Sequence, residues 1–289
     1  MLGAIMGDAW PNLFIVGAGR AGTTSLARYI GGHRDIFMSP VKEPHFFSRA
    51  RPGPTVVKDE ASYLRLFAGA SEQMWRGEAS VSYFWDDRSP PAIKEKSPDA
   101  RIVIALREPV ERAFSSYWRA VRYGETRSFL EAVEAEMKTP PRRNGEVAHP
   151  GYVDPGFYAD RVAVYSRTFP GNVIVLFFEE LVGDTRGQVR RVFQFLEVDP
   201  GFADRFSVDV HNSALVPRND LARRVLLSRR TRALASAVVP RSLRRRVDRL
   251  VLGPGAKPEI EPEARRLLEG AYASDKERLE LLLGRRAPW

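Results

Sequence analysis

The chain of 289 residues has no cysteine. Disulfides, thiolate nucleophiles and cysteine-ligated metals are therefore excluded, although this absence says little about compartment. Four histidines are present, with no grouping at metal-ligand spacing, no internal repeat and no Ser-His-Asp arrangement with motif support. No apolar run reaches the roughly 20 residues that cross a bilayer. The opening stretch, MLGAIMGDAW, lacks the basic region and apolar length of a secretory signal, so cytoplasmic residence is the expectation. Lysine is also scarce, at 7 against 38 arginines. Apolar residues make up 44% and charged residues 28%. These ordinary values permit a sizeable core, in one large α/β domain or two small ones. The net charge of +9 is concentrated: residues 218–249 hold eleven arginines and two aspartates, and the other 257 residues balance to zero. Such a segment either attracts an anionic substrate, membrane surface or nucleic acid, or forms the solvated face of amphipathic helices.

The chain is organised around LFIVGAGRAGTTSLA at residues 13–27. A short apolar strand, a glycine-rich turn from Gly17 to Gly22 and a helix opening at Thr23 or Thr24 predict an anion cradle. Glycine lets the backbone approach closely, several N–H groups converge, and the positive end of the helix dipole favours a phosphate. The alternative is an ordinary strand-to-helix connection. The nucleotide-hydrolase loop GxxxxGK[ST] places a lysine after its second glycine. Here Thr23 stands in that position, followed by Thr24, and the cation Arg20 lies inside the loop. The pattern argues against a γ-phosphate with bound magnesium, and for a nucleotide carrying a 5′-phosphate-linked group. Gly17, Gly19 and Gly22 also satisfy the dinucleotide pattern formally, but no acidic residue clearly ends a second strand about twenty residues on.

Two further stretches carry chemistry. In SPVKEPHFF, Lys42, Glu43 and His45 lie beside two aromatics in a proline-held loop. In extended chain the two-residue spacing puts Glu43 and His45 on one face. A carboxylate beside an imidazole can deprotonate an acceptor hydroxyl; the alternative is a surface loop. RIVIAL, Arg101–Leu106, predicts a strand buried on both faces of a parallel sheet. It runs into Arg107, Glu108 and Pro109 and a helix over 110–122 with Ala113, Phe114 and Tyr117 inside. Arg107 stands at a strand's carboxyl end, where open α/β sheets bind ligands. Ser115, about two helical turns on, could converge with it on a second phosphate. An ion pair capping the helix, from Arg107 to Glu111, is the alternative. Elsewhere the pattern predicts helices over 61–67, 128–137, 156–168 and 186–196 and strands over 36–38, 76–83 and 172–177. A long loop spans 138–155, and a polar loop with His211, Asn212, Pro217 and Arg218 could close over a nucleotide. Beyond Asp220 the chain reads as mostly helical. Pro262 opens the last helix, with Leu267, Leu268, Tyr272, Leu279 and Leu282 core-like.

The glycine turn, the loop at 42–47 and the Arg107…Ser115 pair together resemble the sulfotransferases that use 3′-phosphoadenosine 5′-phosphosulfate (PAPS), closest to the heparan-sulfate sulfotransferase-like branch and its bacterial relatives. GYVDPGFYADRVAVYSRTFPGNVIVLFFEEL and the C-terminal LLLGRRAPW look similar too, so the likeness covers most of residues 12–289. The resemblance implies one domain over 1–289, a three-layer P-loop-like α/β fold with a central parallel sheet flanked by helices. An α/β core with the donor site would span 12–219, and a helical extension over 220–289 would pack on it. Arg20, Ala21, Gly22, Thr23, Thr24 and Ser25 would hold the 5′-phosphosulfate. Arg107 and Ser115, joined by Arg218, would hold the 3′-phosphate. Glu43 would take the acceptor's proton, with His45 positioning the acceptor or sharing that role. No metal is implied, because a sulfuryl group carries less charge than a phosphoryl group.

The implied acceptor is a hydroxyl (or amine) of a small molecule, glycolipid or carbohydrate. No nucleic-acid partner is implied, and residues 218–249 offer a peripheral membrane contact. Two departures stand out. Arg20 replaces the usual lysine, and arginine scarcely gives up a proton near neutral pH, so it would act electrostatically. Ala79, in GEAS, replaces a lysine that glycosaminoglycan enzymes often carry against acidic sugar, which disfavours a highly sulfated polysaccharide acceptor. The rival expectations are an ATP–magnesium kinase on the same fold and a non-catalytic binder of anionic surfaces.

Overall fold

The computed structural model describes residues 10–49, 54–123, 125–139, 151–205, 215–217, 252–254 and 259–289. Arg218, the rest of the arginine-rich segment, His211, Asn212 and the middle of the 138–155 loop lie outside them.

Five parallel strands form the sheet: β1 (Leu13–Gly17), β2 (Ile36–Met38), β3 (Trp75–Ala79), β4 (Arg101–Leu106) and β5 (Val173–Phe177), in the order β2-β3-β1-β4-β5. β1 lies at the centre, with Leu13 opposite Gly77 on one side and Arg101 on the other. Every residue of β1 and all of β4 after Arg101 are buried, which is why neither strand alternates polar and apolar residues. β5, at the edge, leaves its first three residues half-buried.

The helices are α1 (Thr23–Ile30), α2 (Glu60–Arg65), α3 (Ser89–Lys96), α4 (Pro109–Tyr123), α5 (Phe129–Met137), α6 (Ala159–Thr168), α7 (Phe178–Gly183), α8 (Thr185–Phe195) and α9 (Pro262–Leu283). α1 packs beside α8, and α3 beside α6. A second apolar cluster joins Val110, Phe114 and Tyr117 of α4 to Phe129 and Val133 of α5 and to Leu268 and Tyr272 of α9. A short antiparallel pair, β6 (Leu215–Pro217) with β7 (Leu252–Pro254), completes the described strands.

Several sequence expectations are corrected. The strand expected over 76–83 ends at Ala79, and Val81–Phe84 is a 3-10 turn. Tertiary contacts fix that turn, since the hydroxyls of Ser80 and Ser82 both engage His45. The helix expected from 156 opens at Ala159 instead, where the carboxylate of Asp275 on α9 accepts from the amides of Tyr158 and Ala159. The strand expected over 172–177 is β5, and α7, which follows it directly, and α3 are additional helices. Leu282, read as core, is 43% exposed.

Candidate active site

At the carboxyl end of β1 the backbone enters conformations that suit glycine: Gly17 has φ 153° and Gly22 has φ 79°. A Cβ on Gly17 would lie 2.5 Å from Cβ of Phe84, and one on Gly22 would lie 2.9 Å from the Phe178 ring. Gly22 caps α1 through its backbone alone, with no side-chain cap and no acidic residue in the first turn. The positive end of the helix dipole thus meets no carboxylate from the helix's own first turn. Ala21 and Thr23 are buried, Ser25 is half-buried, and Thr24 is exposed. Gly22→Ala is expected to destabilise the fold by about 2 kcal/mol, through the left-handed backbone and the clash with Phe178. Thermal unfolding checks it: the midpoint should fall by about 3 °C, and an unchanged midpoint would refute the close-approach argument.

Arg107 and Ser115 meet through a third residue. Nε of Arg20 donates to Oγ of Ser115 at 3.0 Å, and Nη1 of Arg107 donates to the Arg20 carbonyl at 3.3 Å. Arg20, also left-handed at φ 73°, therefore ties the glycine turn to the pair. The helix-capping alternative is present as well, because Nη2 of Arg107 lies 3.6 Å from Glu111. The Arg107 side chain is 11% exposed, and its guanidinium sits 4.7 Å from the centre of the Phe178 ring. Burial pushes its pKa down, with Glu111 the first of the charges that oppose this. Nε of Arg107 has no hydrogen-bond partner among the described residues. A half-buried guanidinium that keeps an unused donor is chemically able to bond an anion.

The Lys42–Phe47 loop brings its three charged groups into contact. Oε1 of Glu43 accepts from Nζ of Lys42 at 3.1 Å, and Oε2 lies 3.2 Å from Nε2 of His45. The extended-chain argument gave the right neighbours for the wrong reason. His45 has φ 54°, so the loop curls to make this contact. Nδ1 of His45 lies 2.6 Å from Oγ of Ser82, and Ser82 also meets Oγ of Ser48 at 2.7 Å. Burial lowers the His45 pKa, against the raising effect of Glu43, which favours the neutral imidazole at pH 7. An ionised Glu43 can only accept, so the neutral ring carries its proton on Nε2 and accepts from Ser82 at Nδ1.

The segment that follows β3 is the floor shared by both halves. On one side Val81 and Phe84 lie against Gly19 and Gly17. On the other, Ser80, Ser82 and Tyr83 hydrogen-bond the loop. Sequence reading singled out none of Glu78, Ser80, Ser82, Ser48 and Phe178. The hydroxyl-rich run after a carboxylate was the available signal, whereas the Phe178 stack is a tertiary contact with no local signature.

The comparisons with known proteins agree with this architecture. Residues 88–204 match the model of the sulfotransferase family. A sulfotransferase structure from Alicyclobacillus acidocaldarius is 32% identical with a TM-score of 0.72, over 96% of this chain and 98% of that one. Mouse heparan sulfate glucosamine 3-O-sulfotransferase 3A1 is 30% identical over 190 residues, 64% of this chain and 45% of that protein. Mouse carbohydrate sulfotransferase 15 is 26% identical over 250 residues, 66% of this chain and 44% of that protein. The matches therefore span a little under half the length of these curated relatives. Mouse sulfotransferase SULT7A1, solved in complex with PAP, shares the fold at 16% identity and a TM-score of 0.53. Since the Alicyclobacillus relative is matched over nearly its whole length, and the family model covers the segment that carries Arg107 and Ser115, the chain belongs to the sulfotransferase family.

Proposed function

We propose that this chain transfers a sulfuryl group from PAPS to a hydroxyl (or amine) of a small-molecule, glycolipid or carbohydrate acceptor. The observation that carries the reading is Arg20 joining two anion-binding features: the glycine turn at the start of α1 and the Arg107–Ser115 pair. PAPS carries phosphate at both its 5′ and 3′ positions, so one donor would satisfy both. The donor fits the residues present: a cradle that a Cβ would fill, a helix start without an acidic residue, and an unused donor on Arg107. SULT7A1 was solved with PAP, the nucleotide product that this reaction leaves. A kinase would call for the lysine that Thr23 replaces.

In the proposed reaction Glu43 takes the acceptor's proton as its oxygen attacks sulfur, and the bond from sulfur to the bridging oxygen breaks. Arg20, the backbone N–H groups of the turn and the α1 dipole stabilise charge growing on that oxygen. Ala79 is buried and supplies no cation, which supports an acceptor of low negative charge.

Calorimetric titration with 3′-phosphoadenosine 5′-phosphate (PAP), ADP and ATP–magnesium tests the reading. Micromolar binding of PAP is expected, with ADP at least about tenfold weaker for want of one charge-assisted contact. Preference for ATP–magnesium would overturn it. On transfer itself, Arg20→Lys should retain activity and Arg20→Ala should lose about 100-fold or more, the scale of removing one charge-stabilising donor. Full activity in Arg20→Ala would remove Arg20 from the chemistry.

A further inference from the structure

Glu78, in β3, is 1% exposed, and its partners among the described residues are hydroxyls rather than a cation. Oε2 accepts from Ser80 at 2.7 Å, and Oε1 accepts from Tyr83 at 2.5 Å and from Tyr63 at 2.7 Å. Two of these hydroxyls reach further. Ser80 accepts from the His45 amide at 3.0 Å, and Tyr83 accepts from the Phe47 amide at 3.3 Å. A hydroxyl has one proton to give. Because Ser80 and Tyr83 give theirs to Glu78, their lone pairs face the two amides.

We propose that Glu78 is a positioning residue, whose buried carboxylate fixes the polarity of two hydroxyls that hold the loop bearing Glu43 and His45. The proposal deepens the sulfotransferase reading and rests on it for the role of that loop. Only an acceptor-only group at position 78 serves both hydroxyls; glutamine offers one oxygen and one NH2, and an apolar residue offers neither. A carboxylate in this position carries a desolvation cost. Burial accordingly pushes Glu78 up to about 7, with its three hydroxyl partners pulling the other way, so the acceptor-only form prevails above that pH and the exchange measurements below belong at about pH 8. Tyr63 supplies an internal control. Its hydroxyl touches Glu78, and its ring stacks on Phe46 at 4.2 Å, but Ser80 and Tyr83 make the amide contacts. Tyr63→Phe keeps the ring and removes only the hydroxyl.

Hydrogen exchange on the full-length protein tests the proposal without nucleotide or acceptor. In Glu78→Gln, Ser80→Ala and Tyr83→Phe, amides in residues 42–49 should exchange about fivefold to tenfold faster, the scale of one lost neutral hydrogen bond. Tyr63→Phe should stay near wild type, as should β1 and α1 in every variant and the affinity for PAP. The His45 ring 15N resonance, assigned among the four histidines with a His45→Gln variant, should also move in Glu78→Gln. Native exchange and a native His45 resonance in Glu78→Gln would overturn the proposal. So would equal acceleration in Tyr63→Phe, or acceleration spread through β1. If Glu78→Gln fails to fold, Ser80→Ala and Tyr83→Phe carry the same test. Failure of the wild type to bind PAP would sink the sulfotransferase reading but not the exchange result, so the two failures are distinguishable.

Discussion

Arg107→Ala is expected to weaken PAP binding by about 100-fold or more while leaving ADP binding within a few-fold of wild type. The basis is the desolvated setting of the guanidinium. Its side chain is 11% exposed, the Phe178 ring covers one face, and the nearest Glu111 oxygen is 3.6 Å away. That ion pair is too long to satisfy the group, and Nε has no partner. Removing one side of a desolvated charge pair typically costs about 2–5 kcal/mol, and each 1.4 kcal/mol is about tenfold in affinity. Burial lowers the Arg107 pKa, but arginine stays protonated in proteins, so its charge is available throughout the working pH range. ADP is the necessary comparison because Arg107 also donates to the Arg20 carbonyl and so steadies the glycine turn. Calorimetry on both nucleotides separates the two effects. A specific loss for PAP identifies Arg107 with the 3′-phosphate, and equal losses for both would mean that it acts by holding the turn.

The parts of this molecule that were legible in the sequence are those whose environment is uniform along the chain. β1 and β4 are buried on both faces, so each appears as a near-continuous apolar run, and the glycines between β1 and α1 mark a turn that few other residues could make. Pro109 and Pro262 marked helix starts in the same local way. What was not legible depends on partners distant in sequence. RGEASVSY has the composition of a strand throughout, yet it stops at Ala79 because Ser80 and Ser82 turn to His45, more than thirty residues earlier. The start of α6 is set by Asp275, more than a hundred residues later. Nothing local marks Glu78 as buried, because Tyr63 and Tyr83, which donate to it, are the product of tertiary packing. The site was legible to a similar extent. The spacing of Arg107 and Ser115 suggested direct convergence, but Arg20 is the link between them, and an arginine's reach from a left-handed turn has no signature in spacing.

Glu43→Gln is expected to reduce transfer by at least about 100-fold with PAP affinity unchanged, the lower end of what a positioned general base contributes. The substitution is conservative in shape. A glutamine oxygen can still accept from Lys42, and the neutral His45 ring can switch tautomer to accept from the amide NH2 while donating to Ser82. The loop should therefore keep its form, and the loss reports on proton abstraction. His45 is the competing base, and its surroundings weigh against it. With the proton on Nε2 facing Glu43, the basic lone pair of the ring lies at Nδ1, 2.6 Å from Oγ of Ser82. Burial also lowers its pKa, so it gains a proton less readily than an ordinary histidine. His45→Gln should accordingly cost only about tenfold, through the orientation of Glu43 rather than through proton transfer. Single-turnover formation of sulfated product from PAPS, with an acceptor chosen by screening hydroxyl compounds, measures both variants. Near-normal transfer by Glu43→Gln together with collapse in His45→Gln would reverse the assignment, making the imidazole the base and Glu43 its support.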